Sequence, residues 1–345
     1  MTLKRVVKVL IVDDSLFFRT ALQRALLGDA GIMVVGTAGS AAEADKKIRE
    51  LHPDVITMDV EMPDMKGTDF LKKLIPETPI PVVLVSSLDI GIFEALDAGA
   101  VDFVRKPSSS SDYSVFFNEL AVKIKIASTA TVKRRRPVNH LSALPMPALK
   151  PSASAEHIIA IGASTGGTEA TVEILQKLPA NIPGILVAQH MPAGFTKMYA
   201  DRLNRICSFT VKEAQGGERV EAGTAFIAPG DKHMRLAKDS RGYYIKCAIG
   251  EKVSGHCPSV DVLFQSVAQT AGSDAMGIIL TGMGSDGAKG LLEMRKNGSY
   301  TIGQDKASCV VYGMPMVAFE MGAVVKQAPN SSIAGLIIQH LNKGR

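Results

Sequence analysis

Asp13 and Asp14 stand side by side at the end of the apolar run Val9–Val12, and Asp59 ends a second run, Val55–Met58. Ser86 closes a third run, and Lys106, before Pro107, follows a fourth, Val101–Val104. Three clustered carboxylates repel one another at neutral pH unless a cation sits among them. Hard oxygen donors suit magnesium, which keeps several waters and bridges to a phosphoryl group. In that chemistry Asp59 is the nucleophile, because a carboxylate attacking phosphorus gives an acyl phosphate. Lys106 neutralises the added charge, the Ser86 hydroxyl bonds a phosphoryl oxygen, and Phe103 moves inward as that hydroxyl moves. The alternative is that Asp13 and Asp14 only cap the helix beginning near Ser15.

A second constellation lies further on. Gly162-Ala163-Ser164-Thr165-Gly166 satisfies G-x-S-x-G between a strand and a helix, a turn that exposes a serine at a sheet edge. Capping, or phosphate binding at a Gly-rich turn, is the plainer reading of that stretch. Another apolar run, 184–189, delivers His190, and Ile278–Thr281 leads through Gly282-Met283-Gly284-Ser285 to Asp286. Taken singly, His190 is a locally satisfied histidine and Asp286 the cap of a helix over 287–296. Together they supply what serine catalysis needs: a base to take the hydroxyl proton and a carboxylate to fix the imidazole tautomer. His233 and His256 compete as base, and Asp261 and Asp305 as acid. The order Ser, His, Asp is not that of α/β-hydrolases.

These residues require strands that end together. From residue 8 to 126, strands are expected at 8–12, 32–36, 54–58, 81–85 and 101–104, alternating with helices. That alternation predicts a doubly wound five-stranded parallel sheet, whose ligands lie beyond the carboxyl strand ends. Residues 127–153, rich in Ser, Thr, Ala and Pro, read as a linker. From 154 to 345 the α/β alternation resumes as a mostly parallel sheet. The stretch 209–250 reads as consecutive strands with Gly-rich turns, an antiparallel hairpin addition. The domains are thus 1–126, 127–153 and 154–345.

The chain has 345 residues, 46% hydrophobic and 21% charged, the balance of a globular protein large enough for two cores. No apolar run approaches the roughly 20 residues of a membrane span, and no secretory signal is visible. The four cysteines are far apart, as in reduced cytoplasmic proteins. The net charge of +5 owes much to Lys133-Arg134-Arg135-Arg136. Without a helix-turn-helix, zinc or stacking pattern, that run reads as a solvated linker rather than a nucleic-acid contact. Nothing marks an oligomer, so a monomer is expected.

Residues 8–126 resemble response-regulator receiver domains, through Val-Asp-Asp-Ser (12–15), Met-Asp-Val-Glu-Met-Pro-Asp-Met-Lys-Gly (58–67), Val-Ser-Ser (85–87) and Ala-Gly-Ala-Val-Asp-Phe-Val-Arg-Lys-Pro (98–107). The resemblance implies a flavodoxin-like fold with Asp59 as phosphoacceptor and Asp13 and Asp14 as acidic pair. It also implies magnesium bound through these and the Glu61 backbone carbonyl, and a histidine kinase as phosphodonor. Residues 156–345 resemble the catalytic domain of chemotaxis protein-glutamate methylesterases. The matching stretches are Ile-Gly-Ala-Ser-Thr-Gly-Gly (161–167), Gln-His-Met-Pro-Ala-Gly-Phe-Thr (189–196), Ala-Pro-Gly-Asp-Lys-His-Met (228–234), His-Cys-Pro-Ser-Val-Asp-Val-Leu-Phe (256–264) and Leu-Thr-Gly-Met-Gly-Ser-Asp-Gly (280–287). That resemblance implies a triad of Ser164, His190 and Asp286, with the Met283 backbone N–H as oxyanion donor. It implies no cofactor for the ester chemistry and chemoreceptors as substrate. Ester hydrolysis and glutamine deamidation, released by phosphorylation, are the expected activities. A phosphorylation-gated binding module and a transcriptional regulator using the basic run are the rivals.

Overall fold

Five of the six residues of the first strand, β1 (Val7–Val12), are buried. A strand covered on both faces is what a parallel sheet between helices requires. The computed structural model describes residues 6–62, 65–87, 91–107, 112–132, 149 and 157–343. The basic run 133–136 and most of the expected linker lie outside the described residues. The chain divides into two compact units, Met1–His140 and Leu141–Arg345.

In the first unit β1 is followed by α1 (Leu16–Leu26), β2 (Ile32–Ala38), α2 (Ala41–Leu51), β3 (Val55–Met58), α3 (Gly67–Glu77), β4 (Val82–Ser86), α4 (Ile92–Asp97), β5 (Asp102–Arg105) and α5 (Tyr113–Ala127). The sheet order is β2-β1-β3-β4-β5 and every pairing is parallel. The doubly wound sheet expected from the alternation is the one found. Its middle strands β1, β3 and β4 end at Asp13, Asp59 and Ser86, and Lys106 follows the edge strand β5.

The second unit runs β6 (Ile158–Ala163), α6 (Gly167–Leu175), β7 (Gly184–Gln189), α7 (Phe195–Ile206), β8 (Thr210–Glu213), β9 (Thr224–Ile227), β10 (His233–Asp239), β11 (Gly242–Ala248), α8 (Val260–Thr270), β12 (Ala275–Ile279), α9 (Ala288–Lys296), β13 (Tyr300–Gln304), α10 (Met314–Glu320), β14 (Lys326–Ala328) and α11 (Asn330–Lys343). Seven strands form one parallel sheet in the order β14-β13-β12-β6-β7-β9-β8. The antiparallel addition pairs β10 with β11, and Arg219 bridges antiparallel to Tyr244 of β11. The expectation that all of 209–250 forms that addition is corrected for β8 and β9, which pair parallel inside the main sheet. Period-2 patterning marks a strand but carries no information on its direction.

The buried core gathers Ile158, Leu186, Phe226, Leu263, Phe264, Ile279 and Leu291 from sheet and helices. Strand order then does the functional work: β12, β6 and β7 are neighbours, so Thr281, Ser164 and His190 emerge at adjacent strand ends.

Candidate functional site

The receiver-like unit brings its predicted residues together. Carboxylate oxygens of Asp13, Asp14 and Asp59 lie within 4.8 Å of one another. Lys106 Nζ stands 2.6 Å from Asp13 Oδ2 and 2.5 Å from Asp59 Oδ2. Burial alone would lower the Lys106 pKa, but hydrogen bonds to both aspartates hold it above the ordinary value. Burial pushes the Asp13 carboxyl up despite Lys106. An acidic group of this kind, with Asp13 and Asp59 buried and Asp14 exposed, is made of hard oxygen donors and fits a magnesium ion. Capping of α1 falls to Ser15, whose hydroxyl accepts from the Phe18 N–H at 3.3 Å, and Asp13 instead accepts the Ser15 N–H at 2.9 Å. The Glu61 N–H donates to Asp59 Oδ1 at 3.1 Å, which turns the β3–α3 loop over the site. Ser86 and Phe103 are buried, and the Lys106 N–H donates to the Ser86 carbonyl at 2.8 Å. A cavity of about 610 Å³ opens here, lined by Asp14, Glu61, Lys66 and Glu94 among others.

The second unit holds a linked set. His190 Nε2 lies 2.8 Å from Asp286 Oδ2. That oxygen also accepts the Val260 N–H at 2.8 Å, while Oδ1 accepts the Ser259 hydroxyl at 2.8 Å and the Asp261 N–H at 3.0 Å. Asp286 therefore sits at the N-terminus of α8, where peptide dipoles favour an anion. It is not the cap of α9, a position taken by Gly287. Burial pushes the Asp286 carboxyl up, but the His190 contact and the α8 N–H groups outweigh it, and the pKa is lowered. With Nε2–H given to a carboxylate, the imidazole presents Nδ1 as its acceptor. Among the described residues Nδ1 has no partner, although it is buried.

Ser164 follows β6. Its N–H donates to the Thr281 carbonyl at 3.0 Å, and its carbonyl accepts from Gln189 Nε2 at 2.9 Å. These bonds tie the serine backbone to the ends of β12 and β7. Gly282 passes so close that an added Cβ would stand 2.6 Å from Ser164 Cβ. The Gly282 carbonyl accepts the N–H groups of Gly313 and Met314 at 3.1 and 2.8 Å, which turns the chain towards the half-exposed Met283.

Family models for CheB methylesterase and for the response regulator receiver domain match residues 159–337 and 9–114, and the first alone spans more than half of the chain. The chain belongs to the CheB methylesterase family. A protein-glutamate methylesterase/protein-glutamine glutaminase of Syntrophomonas wolfei is 53% identical, over 99% of this chain and 100% of the relative. The Escherichia coli K12 protein of the same name is 46% identical over 98% of both. A crystal structure of the Thermotoga maritima CheB methylesterase catalytic domain covers 54% of this chain and 99% of its own, at 38% identity and a TM-score of 0.53.

Of the competing residues in this family member, His233 is engaged locally. Its Nε2 meets the Glu251 carbonyl at 2.8 Å and its Nδ1 accepts the Ser259 N–H at 3.3 Å. Asp261 accepts the Gly290 N–H at 2.8 Å, and Asp305 accepts the Ser308 N–H at 2.8 Å. His256 is different: its ring stacks on His190. Ser259 and Gln189 escaped the reading of the sequence. A serine after proline and before an apolar helix was a visible cap signal for Ser259; the Gln189 contact had none.

Proposed function

We propose that this chain is a phosphorylation-activated protein-glutamate methylesterase, and a protein-glutamine deamidase by the same route, acting on the cytoplasmic helices of chemoreceptors. The observation that carries the reading is the His190–Asp286 pair at 2.8 Å beside Ser164, at neighbouring strand ends. It is supported by the family and by full-length relatives bearing both activities in their names.

Ser164 Oγ attacks the ester carbonyl while His190 Nδ1 takes its proton. Asp286 holds the ring by Nε2 and stabilises the imidazolium, itself kept ionised by the α8 terminus. The Met283 N–H faces the tetrahedral oxyanion; a donor in that place is worth roughly 3–4 kcal/mol. Methanol leaves with the proton from His190, and water then frees the acyl serine with the same histidine as base. With a glutamine substrate ammonia leaves instead.

In the first unit Asp59 accepts the phosphoryl group from a histidine kinase. Asp13, Asp14, Asp59 and the Glu61 carbonyl would hold magnesium, which supplies charge neutralisation for phosphoryl transfer. Lys106 pairs with the added charge and the Ser86 hydroxyl bonds a phosphoryl oxygen. The added negative charge then changes how the receiver surface packs.

The test is methanol release from methylated receptor, with and without a small phosphodonor and magnesium, in wild type and Ser164→Ala. Release that rises with phosphodonor and vanishes in the variant is expected. Release unchanged by the substitution would overturn the serine mechanism. None from the wild type would favour a phosphorylation-gated binding module.

A further inference from the structure

The rings of His190 and His256 lie face to face, their centroids 3.6 Å apart and their planes inclined by only 9°. The loop bearing His256 is braced. Val253 and His256 exchange backbone hydrogen bonds of 3.0 Å in each direction. Between them the chain turns through Ser254 and Gly255, both at positive φ, and the Ser254 hydroxyl donates to Asp261 at 3.3 Å. The same loop leads on from His256 to Ser259 and Val260, which hold Asp286. A single segment thus sets both a surface over the imidazole and the seat of its carboxylate.

The side chain of His190 makes one hydrogen bond among the described residues, at Nε2. One bond fixes a point on the ring and leaves rotation about χ2 soft, since sp³–sp² torsions have broad wells. Nδ1 must nevertheless stay aimed at the Ser164 hydroxyl, and small misplacements of a catalytic group cost orders of magnitude. A parallel ring in van der Waals contact removes that rotation without making a competing bond to Nδ1.

We infer that His256 is a positioning residue, whose ring stacked on His190 holds the plane in which Nδ1 meets Ser164. The inference rests on the proposed triad and assigns His256 no proton transfer.

The experiment follows the full-length chain with a fluorophosphonate probe, which reports nucleophile activation without any receptor. Labelling rates are compared for wild type, His256→Ala and His256→Phe, with kcat and KM for methanol release and the thermal midpoint of each. His256→Ala is expected to slow labelling and lower kcat by about tenfold or more, with KM and midpoint unchanged. His256→Phe, which keeps a flat ring, is expected to recover most of the rate. Wild-type labelling in His256→Ala, or a folded His256→Phe as slow as the alanine variant, would overturn the inference. Should the alanine variant not fold, His256→Leu against His256→Phe makes the same comparison, and equal rates in that pair would overturn it. A wild type that resists the probe with phosphodonor and magnesium present, while remaining folded, would overturn the triad itself, and the inference with it.

Discussion

The Val260 N–H donates to Asp286 Oδ2 at 2.8 Å, on the same oxygen that meets His190 Nε2. The carboxylate is therefore held from a helix terminus and from the imidazole at once. Burial alone would raise its pKa, but these contacts bring it below the ordinary value of 3.8. A carboxyl with a depressed folded pKa adds stability above its unfolded value, and that contribution is lost as pH falls through the folded pKa. Asp286→Asn is expected to lower the unfolding midpoint near neutral pH, by about 1–3 kcal/mol in stability. The gap from wild type should narrow below about pH 4. Thermal unfolding of both proteins across pH checks this, and kcat should drop by about 10⁴ as the imidazole loses its fixed tautomer.

Gly282 allows the β12 end to pass Ser164. A Cβ there would meet Met314 Sδ at 2.4 Å and Ser164 Cβ at 2.6 Å. The methionine tip can yield, but the serine is pinned by Thr281 and Gln189. Gly282→Ala is expected to cost about 1–3 kcal/mol and about 10² in kcat through displacement of the nucleophile. Urea unfolding and ester hydrolysis on the same preparation measure the two effects.

Lys106 is the ammonium that meets both Asp13 and Asp59. Lys106→Met leaves these buried carboxylates without their cation, a change that costs about 3–5 kcal/mol when a buried pair is broken. The expected outcome is a lower unfolding midpoint without magnesium and a larger upward shift on adding magnesium than in wild type. Stimulation by phosphodonor should be lost. Equal magnesium-induced shifts in the two proteins would contradict this account.

Among the described residues, one group of carboxylate, histidine or cysteine side chains has metal-ligand spacing, namely Asp13, Asp14 and Asp59. Chelation of divalent ions is expected to abolish the rise in methanol release caused by phosphodonor while leaving release without phosphodonor intact. Methanol assays with and without chelator, followed by magnesium add-back, test both parts.

Much of this could be read along the chain because its signals are local. Apolar runs ending in Asp13, Asp59 and His190 mark strands that stop at polar residues, and in each unit a parallel sheet places its own strand ends on one edge. Direction and partnership of strands are not local. β8 and β9 carry a hairpin's pattern yet lie parallel, because their partners are set by pairing with β7 and by burial against the core. Asp286 looked like the cap of the helix it precedes, and the fold gave it to α8 instead. The choice of Nε2 over Nδ1 for that carboxylate, and the ring of His256 over His190, depend on a torsion and on packing between residues 66 positions apart in sequence. Residue type and spacing determined which chemistry was possible, since those follow from covalent structure and short-range periodicity. Which atoms meet was decided only by tertiary structure, because hydrogen-bond geometry depends on where distant strand ends and helix termini come to rest.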